Sequence, residues 1–310
     1  MVAGPEHALE RSWRSARPLQ LGATLAAFRR GGGDPCFEMG ASGAITRAMR
    51  TPTGPASVEF TCVPRDSQIT ARAWGPGAQW ALDQAPNLLG EHDDPAGFVP
   101  LHAPLAQAAR RFAGWRVPRG GLVLDVLVPA IIEQKVTGQE AFAGRARLVR
   151  RFGERAPGPP GERGLLVPPD AAGWRGIPSW EWLRAPVDPA RSGTVQRVCR
   201  VADSLERLTG RSPVEARAAL QSVPGVGRWT AAEVAQRAWG DADAVSFGDY
   251  HVARSIGWTL VRCELDDDGL AELLEPYAGH RYRVQRLLEL AGHGHPRRGP
   301  RMAPRTHLPR

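Results

Sequence analysis

A single carboxylate, Asp249, sits in the run SFGDYHVARS, about twenty residues after a turn bracketed by two glycines, LQSVPGVGRWTAAEV from Leu220 to Val234. A carboxylate can stabilise positive charge that develops on a substrate, and can orient a water, without a metal. It can equally cap a helix, because Gly-Asp ahead of YHVARSI is a good helix start. Its position alone admits both uses. The glycine turn offers a second chemistry: consecutive backbone N–H groups at a helix start bind an anion when no bulky side chain stands in the way. The third candidate is Trp229, in the first turn of the following helix. At helical spacing Ala231, Val234, Ala235 and Ala238 share one face, and Trp229 lies about opposite, beside Glu233 and Gln236. A tryptophan kept for packing should share the core stripe, so this placement suggests an interaction surface. Coverage by another domain would account for it as well.

These groups need elements to hold them. Ser212-Pro213-Val214-Glu215 combines a capping serine, a proline at the first helical position and a glutamate that can complete a capping box. That helix must end by SVPGVG, since Pro224 lacks a donor and glycine permits positive φ. The next is predicted from about Gly227 to Trp239, stopping at Gly240. Upstream, the chain reads as helical from about Leu101. LAQAARRFAG stops at Gly114, and LVLDVLVPAIIEQKVTGQEAFAGRARLVRRFG reads as two helices interrupted near Pro129 and Gly138 and ended by Gly153. APGPPGERG reads as a loop. DPARSGTVQRVCRVADSLERL is amphipathic, with Val195, Val198, Val201, Ala202, Leu205 and Leu208 at helical spacing. The first hundred residues read instead as short strands. ASVEFTCV and QITARAW alternate around the turn PRDS as an antiparallel hairpin, LQLGATLAAF suits another strand, and PNLLGEHDDPAGFVP is loop-like and marks a boundary.

Composition bounds the partners. The net charge is +8 and its distribution is uneven: residues 1–110 hold 10 basic and 10 acidic residues, whereas 111–310 hold 30 and 22. That asymmetry points to a polyanionic partner, although basic solvated faces are common. Cys36, Cys62, Cys199 and Cys263 are scattered without a CxxC pair, which fits buried thiols in a reducing compartment. There is no apolar run of membrane length, and MVAGPEHALERSWRSARPLQ lacks the apolar centre of a leader peptide, so the expected location is the cytoplasm. The closing GHGHPRRGPRMAPRTHLPR reads as a basic disordered tail.

Taken together, LQSVPGVGRWTA, SFGDYHVARS, AIIEQKVTGQEA and PYAGHRYRVQRLLEL resemble the helix-hairpin-helix DNA glycosylase superfamily over roughly residues 101–290, and the neutral strand-rich front resembles the N-terminal domain of its AlkA-like branch. The resemblance implies an α+β chain: a β-rich domain over 1–100, an all-α core of two lobes with the site between them over 101–290, and the tail over 291–310. It places Asp249 at the catalytic aspartate, Trp229 as the wall on which an extruded base stacks, and Pro224, Gly225, Gly227, Arg228 and Thr230 at the DNA phosphate. A monovalent cation is implied at the carbonyls of Gln221, Val223 and Val226, and no other cofactor. The duplex wedge falls at Gln134 or Lys135, where lysine is a departure. Glu233 is another departure, since some relatives carry an aromatic there; it would line the pocket or be solvated. Tyr250 and His251 suit packing or phosphate contact. After Cys199 only Cys263 remains, which excludes the four-cysteine iron–sulfur motif of other branches.

The implied function is excision of alkylated purines of the 3-methyladenine and 7-methylguanine type from damaged duplex DNA by a monomer. Alternatives are a non-catalytic helix-hairpin-helix DNA-binding protein and a glycosylase for hypoxanthine or uracil. Lys135 is the only lysine, so no amine stands beside the hairpin in sequence, and the expected product is an intact abasic site.

Overall fold

The computed structural model describes residues 8–63 and 67–295. Part of the leader reading, most of the PRDS turn and most of the basic tail fall on residues 1–7, 64–66 and 296–310, outside the described residues. Among those described, no helix is long and apolar enough to cross a membrane.

A five-stranded antiparallel sheet forms the front of the chain: β1 (Leu9–Arg14), β2 (Phe37–Met39), β3 (Ile45–Thr51), β4 (Gly54–Val63) and β5 (Gln68–Trp74), in the order β1-β5-β4-β3-β2. The expected hairpin is β4–β5, with Val58 opposite Ala73, Phe60 opposite Ala71 and Cys62 opposite Ile69. Period-two alternation places Val58, Phe60, Ile69, Ala71 and Ala73 on one fully buried face. Burying side chains such as Phe60 and Ile69 contributes roughly 1.5–3 kcal/mol each. That face is covered by a helix the sequence reading missed, Ala78–Leu88, through Ala78, Ala81, Leu82, Ala85 and Leu88. Pro86 hides this helix in the sequence, because a proline removes the N–H that Leu82 O would accept. The freed carbonyl is satisfied from outside the helix: Arg11 Nη1 donates to Leu82 O at 3.0 Å.

Two other readings of the front are corrected. LQLGATLAAF is not a strand but a short helix, Leu21–Leu25, continued by a 3₁₀ turn to Phe28. Its buried Leu21, Thr24, Leu25 and Phe28 fall at i, i+3, i+4 and i+7, a helical spacing. PNLLGEHDDPAGFVP begins inside the Ala78–Leu88 helix, and its acidic part is pinned rather than loose. Arg283 grips both oxygens of the buried Asp93 (2.6 and 3.0 Å) from the far end of the chain.

The helical part builds two cores. One surrounds Val123–Ile132 and includes the helices Pro189–Arg200, Pro213–Gln221 and Arg228–Val234; the other joins Ala103–Arg111, Val252–Val261, Asp267–Leu274 and Arg281–Leu290. Pro129 does not interrupt the first helix. Glu133 N still donates to Pro129 O, and the break comes at Lys135 (φ +55°) and at Thr137, which forms a capping box with Glu140 for Gly138–Phe152. APGPPGERG is not a plain loop, since it contains the turn of helix Pro159–Glu162 beside the short strand pair Glu154–Arg155 and Leu166–Val167. The amphipathic run after Asp188 is two helices, Pro189–Arg200 and Ala202–Glu206, parted at the exposed Val201.

Candidate active site at the glycine hairpin

Ser212 and Glu215 form the expected capping box, and the helix they start ends at Gln221. The turn that follows is fixed at Gly225, with φ +93°. A Cβ there would lie 2.3 Å from Thr194 Oγ1, itself held by Ala190 O (2.8 Å) and Arg197 (2.6 Å). Gly227 is different. Its backbone is extended (φ −93°, ψ −178°), nothing lies within 4 Å of a built Cβ, and no side chain caps the helix it starts. The first-turn N–H groups of Arg228–Val234 therefore have no side-chain cap and start beside an exposed, uncrowded Gly227, as an anion site requires. Pro224 O accepts from Arg197 Nε (3.0 Å) and Gly225 O from Gln134 Nε2 (3.0 Å), while the Val223 carbonyl takes the N–H of Val226.

These differences give a paired expectation. Gly225→Ala is expected to lower thermal stability and duplex affinity together, with strain of about 1–3 kcal/mol. Gly227→Ala is expected to leave thermal stability nearly unchanged and to weaken duplex binding, because its methyl stands where a phosphate would approach. Thermal denaturation and a duplex titration check both, and equal stability losses would contradict the assignment of Gly227 to the open side.

The helix after the turn runs from Arg228 to Val234, widens into a π turn over Ala235–Trp239, and stops at the left-handed Gly240. The stripe of Ala231, Val234, Ala235 and Ala238 is buried as expected, but the opposite side is not solvated. Glu233 is 8 % exposed and Gln236 1 %. Trp229, one turn earlier, is half-buried, with Nε1 shielded from solvent and without a hydrogen-bond partner. Beside it runs the segment that carries Asp249. Gly248 (φ +85°) runs alongside it, where a Cβ would be in ordinary van der Waals contact with Trp229 Cβ at 3.9 Å, and the Arg228 guanidinium lies 4.3 Å above the Phe247 ring. Trp229 stands in the first turn of a helix whose Ala231, Ala232 and Val234 belong to the first helical core, and Asp249 lies three residues before Val252–Val261, a helix of the second. The two meet at the seam.

Asp249 serves as a helix cap and keeps a free oxygen. Its Oδ1 accepts from His251 N (2.7 Å) and Val252 N (3.2 Å), whereas among the described residues nothing donates to Oδ2. The structural use of this residue thus leaves the second oxygen for chemistry. Tyr250, 72 % exposed, accepts from Arg254 Nη1 at 3.0 Å on the outer side of the same turn.

The two wedge candidates have different surroundings. Gln134 is tied into the hairpin, donating to Gly225 O and to Thr230 Oγ1 (2.8 Å). Lys135 is exposed at the tip of the same loop in a left-handed conformation that non-glycine residues seldom adopt. The loop carrying Lys135 therefore abuts the hairpin, although almost a hundred residues separate it from Trp229 in sequence.

Glu233 is not solvated. Its Oε2 accepts from Arg237 Nη1 at 2.8 Å and its Oε1 from Ser246 Oγ at 2.6 Å. Burial pushes this carboxyl up, but Arg237, the Ser246 hydroxyl and Arg30 outweigh it and hold it below the ordinary glutamate value. Glu133, at the end of the helix before Gln134, goes the other way: burial raises it against the pull of Arg30. Sequence reasoning missed Ser246, Gln285 and Arg237 around this carboxylate. Only the i, i+4 spacing of Glu233 and Arg237 carried a signal.

No family model matches the chain. A curated relative from Mycobacterium tuberculosis, a probable bifunctional transcriptional activator/DNA repair enzyme AlkA, is 30% identical over 221 residues, which is 67% of this chain and 42% of the relative. The chain thus spans less than half the length of the curated relatives it matches. Among solved structures, the 3-methyladenine DNA-glycosylase of Archaeoglobus fulgidus superposes with a TM-score of 0.74 at 17% identity, covering 91% of this chain and 98% of that one. The 8-oxoguanine glycosylase/lyase of Clostridium acetobutylicum, in complex with duplex DNA, gives 0.67 at 11% identity over 92% and 98%.

Proposed function

The chain has the helix-hairpin-helix DNA glycosylase fold, and from that premise we propose that it is a monofunctional DNA glycosylase of base excision repair, acting on alkylated purines of the 3-methyladenine and 7-methylguanine type in duplex DNA. The observation that carries this reading is the meeting of Trp229 with the Asp249 segment across the seam, beside an uncapped glycine hairpin, with Asp249 Oδ2 lacking a donor among the described residues. A module that only binds DNA needs the hairpin and has no use for that oxygen. The hairpin amides and Arg228 hold a phosphate, the target nucleotide rotates out of the duplex, and a side chain of the 134–135 loop fills the gap. As the N-glycosidic bond breaks, its electron pair leaves with the base and positive charge grows on the sugar. Asp249 stabilises that charge while water adds at the anomeric carbon and gives up a proton to solvent. The carbonyls of Gln221, Val223 and Val226 are the ones we assign to a structural monovalent cation. The enzyme works as a cytoplasmic monomer.

An alkylated purine such as 3-methyladenine is cationic and already has a weakened bond, so an electron-rich wall and one carboxylate suffice. Cation–π attraction to the Trp229 ring adds about 0.5–2 kcal/mol. Trp229→Ala is therefore expected to slow release of 7-methylguanine roughly twofold to thirtyfold more than release of neutral hypoxanthine. Equal losses would reduce Trp229 to packing. The function itself is tested with duplexes that each carry one lesion (3-methyladenine analogue, 7-methylguanine, hypoxanthine, uracil or 8-oxoguanine), scoring strand breaks after alkali. Release confined to 8-oxoguanine or uracil would overturn the alkylpurine assignment, and no release from any duplex would overturn the enzyme.

A further inference from the structure

Ser246 is bonded in every direction. Its Oγ donates to Glu233 Oε1 (2.6 Å) and accepts from Gln236 Nε2 (2.8 Å) and Gln285 Nε2 (3.2 Å). Its N–H goes to Gln285 Oε1 (3.1 Å), and its carbonyl accepts the N–H of Asp249 itself (3.2 Å). A hydroxyl has one proton and two lone pairs, so an ionised Glu233 dictates which way this proton points and leaves both lone pairs for the two glutamines. Glu233 is fixed in turn by Arg237, whose Nη1 also reaches Glu233 O (2.9 Å) and whose Nε donates to Ala27 O (2.8 Å) in the N-terminal domain. The N-terminal domain touches the wedge loop too, through the ion pair of Arg30 with Glu133 (3.4 Å), the residue before Gln134.

We propose that Glu233 and Ser246 are positioning residues for Asp249, and that Arg237 braces them against the N-terminal domain. The proposal rests on the glycosylase reading for its catalytic consequence, not for its geometry. Glu233 is held by Arg237 and Ser246 under the Asp249 segment, where it sets the height of the carboxylate relative to the sugar. A buried, fully satisfied network of this kind fixes one arrangement of its loop, and a misplacement of the order of 1 Å at a reacting group costs up to a hundredfold in rate.

The test uses the full chain and Ser246→Ala, which leaves the Glu233–Arg237 pair intact. Three quantities are read: single-turnover release of 7-methylguanine, affinity for a duplex containing a tetrahydrofuran abasic analogue, and amide hydrogen exchange. Release is expected to fall roughly tenfold to a hundredfold while affinity stays within about twofold, and Ser246→Ala/Glu233→Gln is expected to lose less than the two single losses multiplied together, since Glu233 and Ser246 share a hydrogen bond. Amide hydrogen exchange over 244–252 is expected to quicken in Ser246→Ala with the rest of the chain unchanged. Wild-type release rates in Ser246→Ala, or losses of rate and affinity in equal measure, overturn the positioning role and leave the glycosylase reading standing. Unchanged exchange over 244–252 overturns it whatever the wild-type chain does to lesions, whereas a wild type that releases no base while the variant's exchange quickens overturns only the glycosylase reading.

Discussion

Asp249→Asn is expected to retain the fold and duplex binding and to lose base release by a factor on the order of 10²–10³ or more. The hydrogen bonds explain why this substitution isolates charge. Oδ1 carries the cap, accepting from His251 N and Val252 N, and asparagine offers the same oxygen and ranks beside aspartate as a cap. The Gly248 turn and the start of Val252–Val261 therefore remain. What changes is the unpartnered oxygen, which becomes an NH₂ with its positive end toward a sugar that is itself becoming positive. Thermal denaturation and affinity for an abasic-analogue duplex serve as controls, and single-turnover release of 3-methyladenine is the measurement. Near-wild-type release by a folded Asp249→Asn would remove Asp249 from the chemistry and leave it a cap only.

The legible parts of this protein were those written in local sequence. Ser212 to Glu215 is a capping box because four adjacent residues make it one, and β4–β5 is a hairpin because Val58, Phe60, Ile69 and Ala71 alternate. The helix Ala78–Leu88 was hidden because Pro86 is tolerated only through Arg11, a strand residue far away in sequence that supplies a donor to Leu82 O. The burial of Glu233 was illegible for a related reason. Its hydrogen-bond partner Ser246, the Gln285 that holds Ser246, and the nearby Arg30 charge come from three other parts of the chain, so the side of the helix that looked solvent-facing is covered by a hydrogen-bonded network instead of by apolar residues. Trp229 could be placed beside polar positions from spacing alone, but its neighbourhood with Gly248 arises only where the two helical cores meet.

The product of the reaction is expected to be an intact abasic site, with no strand nick. Nicking glycosylases form a Schiff base between an amine and the sugar. The family resemblance implies that such an amine stands just after the hairpin's second glycine, at the position this chain fills with Trp229, which offers no amine. Arginine stays protonated and is a poor nucleophile of that kind, and here the Arg228 guanidinium lies over Phe247. Lys135 is the only lysine, and the fold brings its loop against the hairpin through Gln134. Distance along the chain is therefore no argument against it. Position separates the two roles: a Lys135 side chain that fills the gap left in the duplex points into the base stack, while the anomeric carbon of the extruded sugar has moved out of that stack toward Asp249. One side chain cannot occupy both places. Borohydride added during turnover is expected to trap no covalent protein–DNA adduct, and strand breaks are expected only after alkali. A stoichiometric adduct that vanishes in Lys135→Arg would overturn this and make Lys135 the nucleophile. With no adduct, Lys135→Arg keeps a long cationic side chain on the loop, so its release rate should stay within about threefold of wild type, whereas Lys135→Gly is expected to slow release through weaker extrusion if the gap-filling side chain we propose for the 134–135 loop is that of Lys135, and to leave it unchanged if Gln134 fills the gap.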